Sequence, residues 1–367
     1  MIFKKNKFAI NTILIIILAS CSSTSKNFEY NLIAPQDYKN NKDIEEIMSY
    51  ESFFNEDLIK IQETIDKGLL NQSDLKFLRL LKSNYKKILS RKSYTLEINS
   101  SEKYSHEIIE LIYKINLPIK VSWAATRANT FPKNILSEKI SGFCSSFYDD
   151  ATKSIGENLI HKGSPKLVIY SEEYLSVLEK LKFYNSNLIL LKYNSGNFQE
   201  FASENLGILS SEERFKKISS LNPNQNLNFD PRSRDDFKEI ILLIRPNQYK
   251  AMIPALRYYG GNNYRYLTFI SILEELNNPL QLMDFEDSFI ALSNFTSKKI
   301  IEGRLLSLEN FLHQGILKDW LLIQVLKQSG AKTTEINGVT GNLFYQSNSC
   351  TKREIPLQRI TPKLYSS

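Results

Sequence analysis

The sequence predicts an α/β fold with mainly parallel sheets, and three observations predict it. From residue 93 onward, apolar runs of strand length alternate with amphipathic stretches of helix length. One run, residues 237–244, is almost continuously apolar, as buried parallel strands are. Apolar residues make up 42% and charged residues 24% of the 367-residue chain, which is the range of folded globular proteins. This length allows two domains, or one large domain with an appendage.

The first twenty residues divide into a basic start, an apolar run and a small-residue exit that ends at Cys21. The run is shorter than the roughly 20 apolar residues that a membrane-spanning helix needs, but it suits a secretory signal. A cysteine in this place resembles the lipobox of bacterial lipoproteins, in which the cysteine is acylated and becomes the first mature residue. We therefore predict a lipoprotein signal peptide at residues 1–20 and lipidation of Cys21. The alternative is an ordinary signal peptide with a chance cysteine.

Ser22 follows in place of an acidic residue, which favours the outer membrane over the inner one.

The next two segments differ in composition and hydrophobic pattern. Residues 21–42 are polar and predict a tether. In residues 43–92, apolar side chains recur at three- and four-residue spacing, with a stop near Gly68. This pattern predicts a short helical hairpin.

After residue 92, the alternation of strands and helices predicts the α/β body, residues 93–367. Pro246 is placed to open a helix, and Gly260-Gly261 to end it. Short strands around Asn337-Gly338 close the chain. The predicted strands are 94–98, 117–123, 166–170, 187–193, 237–244 and 266–270. The predicted helices are 104–115, 149–162, 172–183, 198–206, 211–221, 246–259 and 308–329.

Charge and cysteine content limit the possible partners. Residues 1–20 hold three lysines and no acids, so their removal lowers the formal net charge from +7 to +4. This balance, without a clustered basic stripe, predicts no nucleic-acid binding. With Cys21 assigned to lipid, Cys144 and Cys350 remain. In an oxidising compartment they can pair, or they can stay as two separate buried thiols.

The sequence offers no catalytic or metal-binding motif. His106, His161 and His313 lie far apart, without metal-ligand spacing beside them. Acidic pairs such as Asp149-Asp150 are neighbours in sequence, so their side chains do not face each other on a helix or strand. We predict no catalytic residue, no metal site and no cofactor. An envelope hydrolase would need convergent carboxylates or a Ser/His pair, which the sequence does not present.

Four stretches, in order over residues 95–360, carry recognisable motifs. In chain order, they are 116–119 with Cys144, 149–151 and Gly163; 206–208 with Ser211 and Arg214; 232–246 with 253–259; and 319–320 with 335–343, Cys350 and 353–356. The first has an acidic pair after a cysteine, the second a Leu-Gly-Ile helix boundary, and the third a strand with a proline-started helix. The last has Gly-x-Thr-Gly-x-Leu followed by a basic residue. Together these stretches resemble the LppC lipoproteins, the penicillin-binding-protein activators, whose closing strand pair has this last pattern.

The resemblance implies a type I periplasmic-binding-protein-like fold of two lobes, anchored at the periplasmic face of the outer membrane. It implies a non-enzymatic regulator that stimulates a bifunctional peptidoglycan synthase, a class A penicillin-binding protein. Some family members place cysteines near Cys144 and Cys350, which implies a disulfide between these two residues. The partner-binding surface is unknown from the sequence.

The sequence departs from the family in two places. About fifty helical residues stand where the family carries a long N-terminal domain of helical repeats. The usual opening of the first lobe is hard to find before residue 94, which predicts a reduced first lobe. The competing interpretation is a lipid-anchored solute-binding protein that uses the same fold to hold a small molecule. A polar pocket favours that interpretation, whereas a filled or absent cleft favours protein binding.

Overall fold

The structure, a computed structural model, describes residues 32–33, 65–67, 72–98, 103–114, 117–123, 131–159, 163–221, 228–276, 279–301 and 308–365. Its contacts divide the chain into two compact units. Unit 1 is Met1–Thr130 with Leu322–Thr334, and unit 2 is Phe131–Leu321 with Glu335–Ser367. The predicted signal peptide, nearly all of the tether and most of the first helix of the hairpin lie outside the described residues.

Unit 1 contains a parallel βαβ motif. Strand β2 (Tyr94–Ile98) pairs in parallel with β3 (Ile119–Trp123), and helix α2 (Ser105–Lys114) connects them. The period of two in β2 buries Tyr94, Leu96 and Ile98 and exposes the residues between them. The two-residue strand β1 (Leu32–Ile33) and helix α1 (Gln72–Ser90) precede this motif. The predicted strands and helix of this region are confirmed.

Helix α1 is held by the chain that returns to unit 1 after residue 321. Lys87 Nζ donates to the carbonyl of Gly330 at 2.9 Å, and the backbone N–H of Lys332 donates to Asn84 Oδ1 at 3.0 Å. Gln328 exchanges two hydrogen bonds with the backbone of Thr95, of 2.9 and 2.6 Å. The side-chain amide of Gln328 thus bonds to the backbone of β2 in the way that a neighbouring strand would.

Unit 2 is built on a six-stranded sheet. Its strand order is β12-β8-β7-β6-β4-β5, in which all pairs are parallel except the antiparallel β12–β8 edge. The five parallel strands therefore follow the doubly wound order 2-1-3-4-5. This mixed α/β architecture confirms the predicted fold class and fits a type I periplasmic-binding-protein-like fold. The strands are β4 (Lys166–Tyr170), β5 (Leu188–Lys192), β6 (Glu239–Leu243), β7 (Arg265–Thr268), β8 (Phe289–Ala291) and β12 (Leu357–Arg359).

The strand at the centre of this sheet is β6, and every one of its residues is buried. Its one charged member, Glu239, sits between cations at the amino ends of the two neighbouring strands. Its carboxylate lies 3.4 Å from Lys166 Nζ and 2.7 Å from Arg265 Nη1. A buried carboxylate is costly without partners. These two cations therefore allow Glu239 to be the first residue of a strand that is otherwise apolar and fully buried.

The helices of unit 2 follow the predicted positions closely. Pro246 is the first residue of its helix, and Gly261, with φ of +55°, follows the last. Gly207, with φ of +80°, separates two helices as predicted. The helices are α3 (Phe147–Glu157), α4 (Leu175–Tyr184), α5 (Phe198–Asn205), α6 (Ile208–Leu221), α7 (Pro246–Gly260), α8 (Asn294–Ile301), α9 (Leu308–Ser329, which continues into unit 1) and α10 (Pro362–Tyr365).

A smaller sheet closes the chain around the predicted Asn337-Gly338 turn. It contains β9 (Thr334–Asn337), β10 (Asn342–Tyr345) and β11 (Lys352–Glu354), and β10 pairs antiparallel with β11. Within the described ranges, none of the helices combines the length and the apolar content needed to cross a bilayer.

Candidate functional site

Arg353 lies at the centre of a buried polar cluster in unit 2. Its Nη1 atom is 3.5 Å from Oδ2 of Asp150, and these two side chains are only 2% and 5% exposed. The guanidinium carbon lies 4.2 Å from the ring centroid of Phe143 and 5.3 Å from that of Phe147. A cation stacked on two aromatic faces and facing a carboxylate is compensated although it is buried.

Asp319, on helix α9, organises the turn between β9 and β10. Its carboxylate accepts hydrogen bonds from the backbone N–H of Val339 at 2.8 Å, and from the N–H and hydroxyl of Thr340 at 2.9 and 2.5 Å. A side chain at Gly338 would place its Cβ 2.8 Å from Asp319 Oδ1. The first glycine and the threonine of the Gly-x-Thr-Gly pattern are therefore explained by the approach of this carboxylate.

Asp150, Asp319, Thr340 and Arg353, here called the Arg353 cluster, influence one another electrostatically. Burial raises the pKa of Asp150 to about 6, against the opposing effects of Arg353 and the Ser145 hydroxyl. Burial also raises the pKa of Asp319, while Arg353 and the donors from Thr340 and Val339 oppose that rise. Burial lowers the pKa of Arg353, and both carboxylates act to raise it.

A disulfide between Cys144 and Cys350 lies beside this cluster, with Cα atoms 4.9 Å apart. The backbone on both sides of it is paired as well. The N–H of Cys144 donates to the carbonyl of Thr351 at 2.9 Å, and the N–H of Thr351 donates to that of Gly142 at 2.8 Å. The segments around residues 144 and 350 are thus joined by a covalent bond and by backbone hydrogen bonds.

The carboxyl edge of the large sheet contains the place where a ligand is expected in this fold. In open parallel sheets, ligands bind beyond the strand ends where the strand order reverses. In unit 2 this place lies between β4 and β6. Ser171, directly after β4, donates its N–H to the carbonyl of Leu243 at 2.8 Å and its hydroxyl to Gln248 at 3.1 Å. Arg245, after β6, donates to Glu173 at 2.5 Å.

Aromatic side chains occupy the same edge. The ring of Phe269, which follows β7, contacts Tyr148 and Tyr174 at centroid distances of 4.9 and 5.7 Å. The hydroxyl of Tyr249 donates to the carbonyl of Leu242 at 2.8 Å, and that of Tyr148 bonds to a carboxylate. At this edge of unit 2, the aromatic rings and hydroxyl groups are thus packed against or bonded to other groups of the same unit.

The carboxylate that Tyr148 bonds to belongs to Glu274. Burial, with Glu274, raises the pKa of Tyr148 far above its ordinary value, so this phenol is a hydrogen-bond donor at neutral pH. Both residues of this pair belong to unit 2.

The predicted site residues have different outcomes. Cys21 lies outside the described residues, and its lipidation stays a prediction. Cys144 and Cys350 are bonded to each other. His161 also lies outside the described residues. His106 is exposed and lies 3.3 Å from Glu110, one helical turn away. In the described part of the chain, no group of three or more His, Cys, Asp or Glu is arranged to hold a metal ion.

The neighbouring acidic residues point to different partners, as their adjacency predicts. Asp149 caps helix α3 with Ser146 and pairs with Lys180, whereas Asp150 faces the buried Arg353. Asp150 therefore has a structural partner of its own, and the two adjacent carboxylates do not share one.

Sequence reasoning missed the aromatic side chains at this carboxyl edge. Their signal is weak, because Tyr148, Tyr174, Tyr249 and Phe269 come from four different elements and share no motif. Only the Arg245-Pro246 pair, at the end of a buried strand and the start of a helix, could have indicated the carboxyl edge in advance.

Comparisons with known proteins give structural matches only. No protein-family model matches the sequence, and no curated protein matches it. A full-length Haemophilus influenzae LpoA structure is similar at 11% identity and a TM-score of 0.44, over 89% of this chain and 69% of that one. Another LpoA structure from the same organism has 11% identity and a TM-score of 0.40, over 83% of this chain and 49% of that one. This chain thus spans about half the length of that LpoA chain.

A solute-binding structure is similar to a comparable degree. It is an ABC transporter substrate-binding protein from Desulfitobacterium hafniense in complex with Leu, at 8% identity and a TM-score of 0.38. The match covers 74% of this chain and 98% of that one.

Proposed function

We propose that this chain is a non-enzymatic outer-membrane lipoprotein that regulates peptidoglycan synthesis from the periplasmic side. In this proposal it binds and stimulates a bifunctional peptidoglycan synthase, a class A penicillin-binding protein. The anchor is the acylated Cys21, and the α/β body carries the binding surface. The premise is the resemblance of four ordered stretches to the LppC lipoproteins.

One observation carries the proposal: the family-like stretches contact one another in the folded chain. Asp150, in the first stretch, faces Arg353, in the last. In the two middle stretches, the N–H of Arg234 donates to the carbonyl of Leu206 at 2.9 Å, and that of Arg232 to the Ser211 hydroxyl at 3.3 Å. The contacts support reading the stretches as parts of one framework.

The bonded polar groups at the carboxyl edge bear on the choice between a regulator and a solute-binding protein. A small polar ligand needs a concave site with a few free polar groups directed into it. At the switch point of unit 2, Ser171, Gln248 and Arg245 bond to protein groups, and aromatic rings cover the edge. This arrangement favours a protein partner over a captured solute.

The partner is tested by recovery of the anchored full chain from envelope extract. We expect a class A penicillin-binding protein in the bound fraction, and reduced cross-linking of new peptidoglycan when the gene is deleted. If no peptidoglycan synthase is recovered and transpeptidation is normal after deletion, the proposal is wrong.

The anchor is tested separately with labelled palmitate. The wild-type chain is expected to incorporate the label and to fractionate with outer membranes. Cys21→Ser is expected to abolish incorporation, while Ser22→Ala, the matched control, keeps it. Labelling that persists in Cys21→Ser would remove the lipid anchor from the proposal without affecting the partner.

A further inference from the structure

Strand β5 forms one edge of the large sheet in unit 2. It pairs with β4 through five consecutive residues in unbroken parallel register, from Lys166↔Leu188 to Tyr170↔Lys192. In the part of the chain that the structure describes, no strand pairs with its other side. The backbone groups on that side are therefore available to another chain.

The register identifies those groups. The carbonyl of Asn187 accepts from the N–H of Lys166 at 3.0 Å, and the N–H of Tyr193 donates to the carbonyl of Tyr170 at 2.9 Å. Residues of odd number in this strand thus direct their backbone towards β4. Because the pattern alternates along a strand, the N–H and C=O groups of Leu188, Leu190 and Lys192 point away from the sheet.

The outward edge lacks the usual protections against pairing. Proline, bulges and several charges normally protect such an edge, yet β5 reads Leu-Ile-Leu-Leu-Lys without proline and in unbroken register. Its single charge, Lys192, is paired with Glu172 at 3.1 Å. Leu190 at its centre is 38% exposed, whereas the first four residues of β4 are buried.

We propose that two copies of this chain associate through β5, antiparallel, about a two-fold axis at Leu190. Each outward residue then exchanges two backbone hydrogen bonds with the residue opposite, which adds about six bonds and joins the two sheets into one. Such an isologous contact uses the same patch twice and closes as a dimer.

Charge placement favours a second copy as the occupant. Pairing about Leu190 puts Lys192 of each copy opposite an apolar leucine, Leu188, and places no lysine opposite a lysine. Like charges directly opposite each other would destabilise the pair. The strand can therefore pair with itself about Leu190 without opposing like charges, with an apolar residue on the axis.

Cysteine cross-linking in the envelope tests the register with the anchored full chain. Directly opposite residues of a hydrogen-bonded antiparallel pair have Cα atoms about 5.5 Å apart, within the range of a disulfide. Leu190→Cys is expected to form a covalent dimer on a non-reducing gel. Lys192→Cys is the control, because its two copies lie about 13 Å apart along the strands. A monomeric Leu190→Cys, or equal cross-linking of both variants, overturns the proposal.

A charge pair tests the same axis without a covalent bond. Leu190→Lys and Leu190→Glu each place like charges opposite one another, so each alone is expected to dimerise at least tenfold more weakly than the wild type. An equimolar mixture is expected to recover the dimer, which also shows that both variants are folded. A wild-type full chain that is monomeric by light scattering at all concentrations, or a mixture without recovery, contradicts the proposal.

Discussion

Asp319 is the acceptor on which the turn between β9 and β10 depends. Asp319→Ala would leave two backbone N–H groups and a buried hydroxyl without their acceptor, and would remove one of the two carboxylates that favour charged Arg353. We expect a loss of about 3–5 kcal/mol in the free energy of unfolding, measured by urea denaturation.

The control for this prediction is an acidic residue on the surface. Glu179 pairs with Lys182 at 2.6 Å on the exposed face of helix α4, with side chains 62% and 41% exposed. Glu179→Ala is expected to cost less than about 1 kcal/mol. Equal losses for the two variants would show that burial of Asp319 contributes nothing.

Asp150 predicts a specific pH dependence. Its pKa is raised by burial to about 6 in the folded chain from an ordinary value of 3.8, so between these two pH values the folded state holds a proton that the unfolded state has released. Stability therefore falls as pH rises through this window, by an amount on the order of 2–3 kcal/mol.

Urea unfolding at pH 4, 5, 6 and 7 measures this dependence. Asp150→Asn is expected to show a smaller fall between pH 4 and 6 than the wild type, because its side chain does not titrate. Asp235→Asn, which changes an 84%-exposed side chain, is expected to follow the wild-type profile. Parallel profiles for wild type and Asp150→Asn would contradict the assignment.

At the scale of elements, the disulfide connects the start of helix α3 to the last small sheet. Cys144 and Cys350 are 206 residues apart in sequence, so the bond restricts a very long loop in the unfolded chain. We expect Cys144→Ser to lower the free energy of unfolding by about 2–4 kcal/mol.

Two measurements check the bond. Mass spectrometry of the unreduced protein is expected to find the peptides of Cys144 and Cys350 joined. Cys350→Ser and the double variant should then lose as much stability as Cys144→Ser, since one bond is lost in each. Free thiols at both positions in protein purified from the periplasm would contradict the pairing.

Individual elements could be predicted where local chemistry decides them. The apolar run that contains β6, Pro246 at a helix start and Gly207 between two helices each identify their element from a few adjacent residues. β8 and β12 were not predicted, because strands of three residues carry too little pattern. They form only because a neighbouring strand offers an edge.

At the scale of the whole molecule, the site could be predicted only in part. The resemblance identified Asp150, Asp319 and Arg353 as members of ordered stretches, but not that they form one buried cluster. Their proximity results from the winding of unit 2, which brings helix α3 to residues some two hundred positions later. No periodicity in the sequence predicts such a contact.

The bonded carboxyl edge of the large sheet leads to the last prediction, which concerns the whole chain as a binder of small molecules. Ligand that binds only the folded state stabilises it by about 2.7 kcal/mol at one hundred times its dissociation constant. Because Ser171, Arg245 and Gln248 are already bonded to protein groups, a solute would have to break those bonds before it gained its own. We therefore expect no rise in the unfolding temperature with any of the twenty amino acids or common sugars at 1 mM. At this concentration, a ligand with a dissociation constant of about 10 μM or lower would give at least the stabilisation stated above. Ser171→Ala serves as the comparison, because any ligand held at this edge should lose its stabilising effect there. A saturable rise in the wild type that disappears in Ser171→Ala would favour the solute-binding alternative, since a ligand would then replace the bonds of Ser171 at this edge.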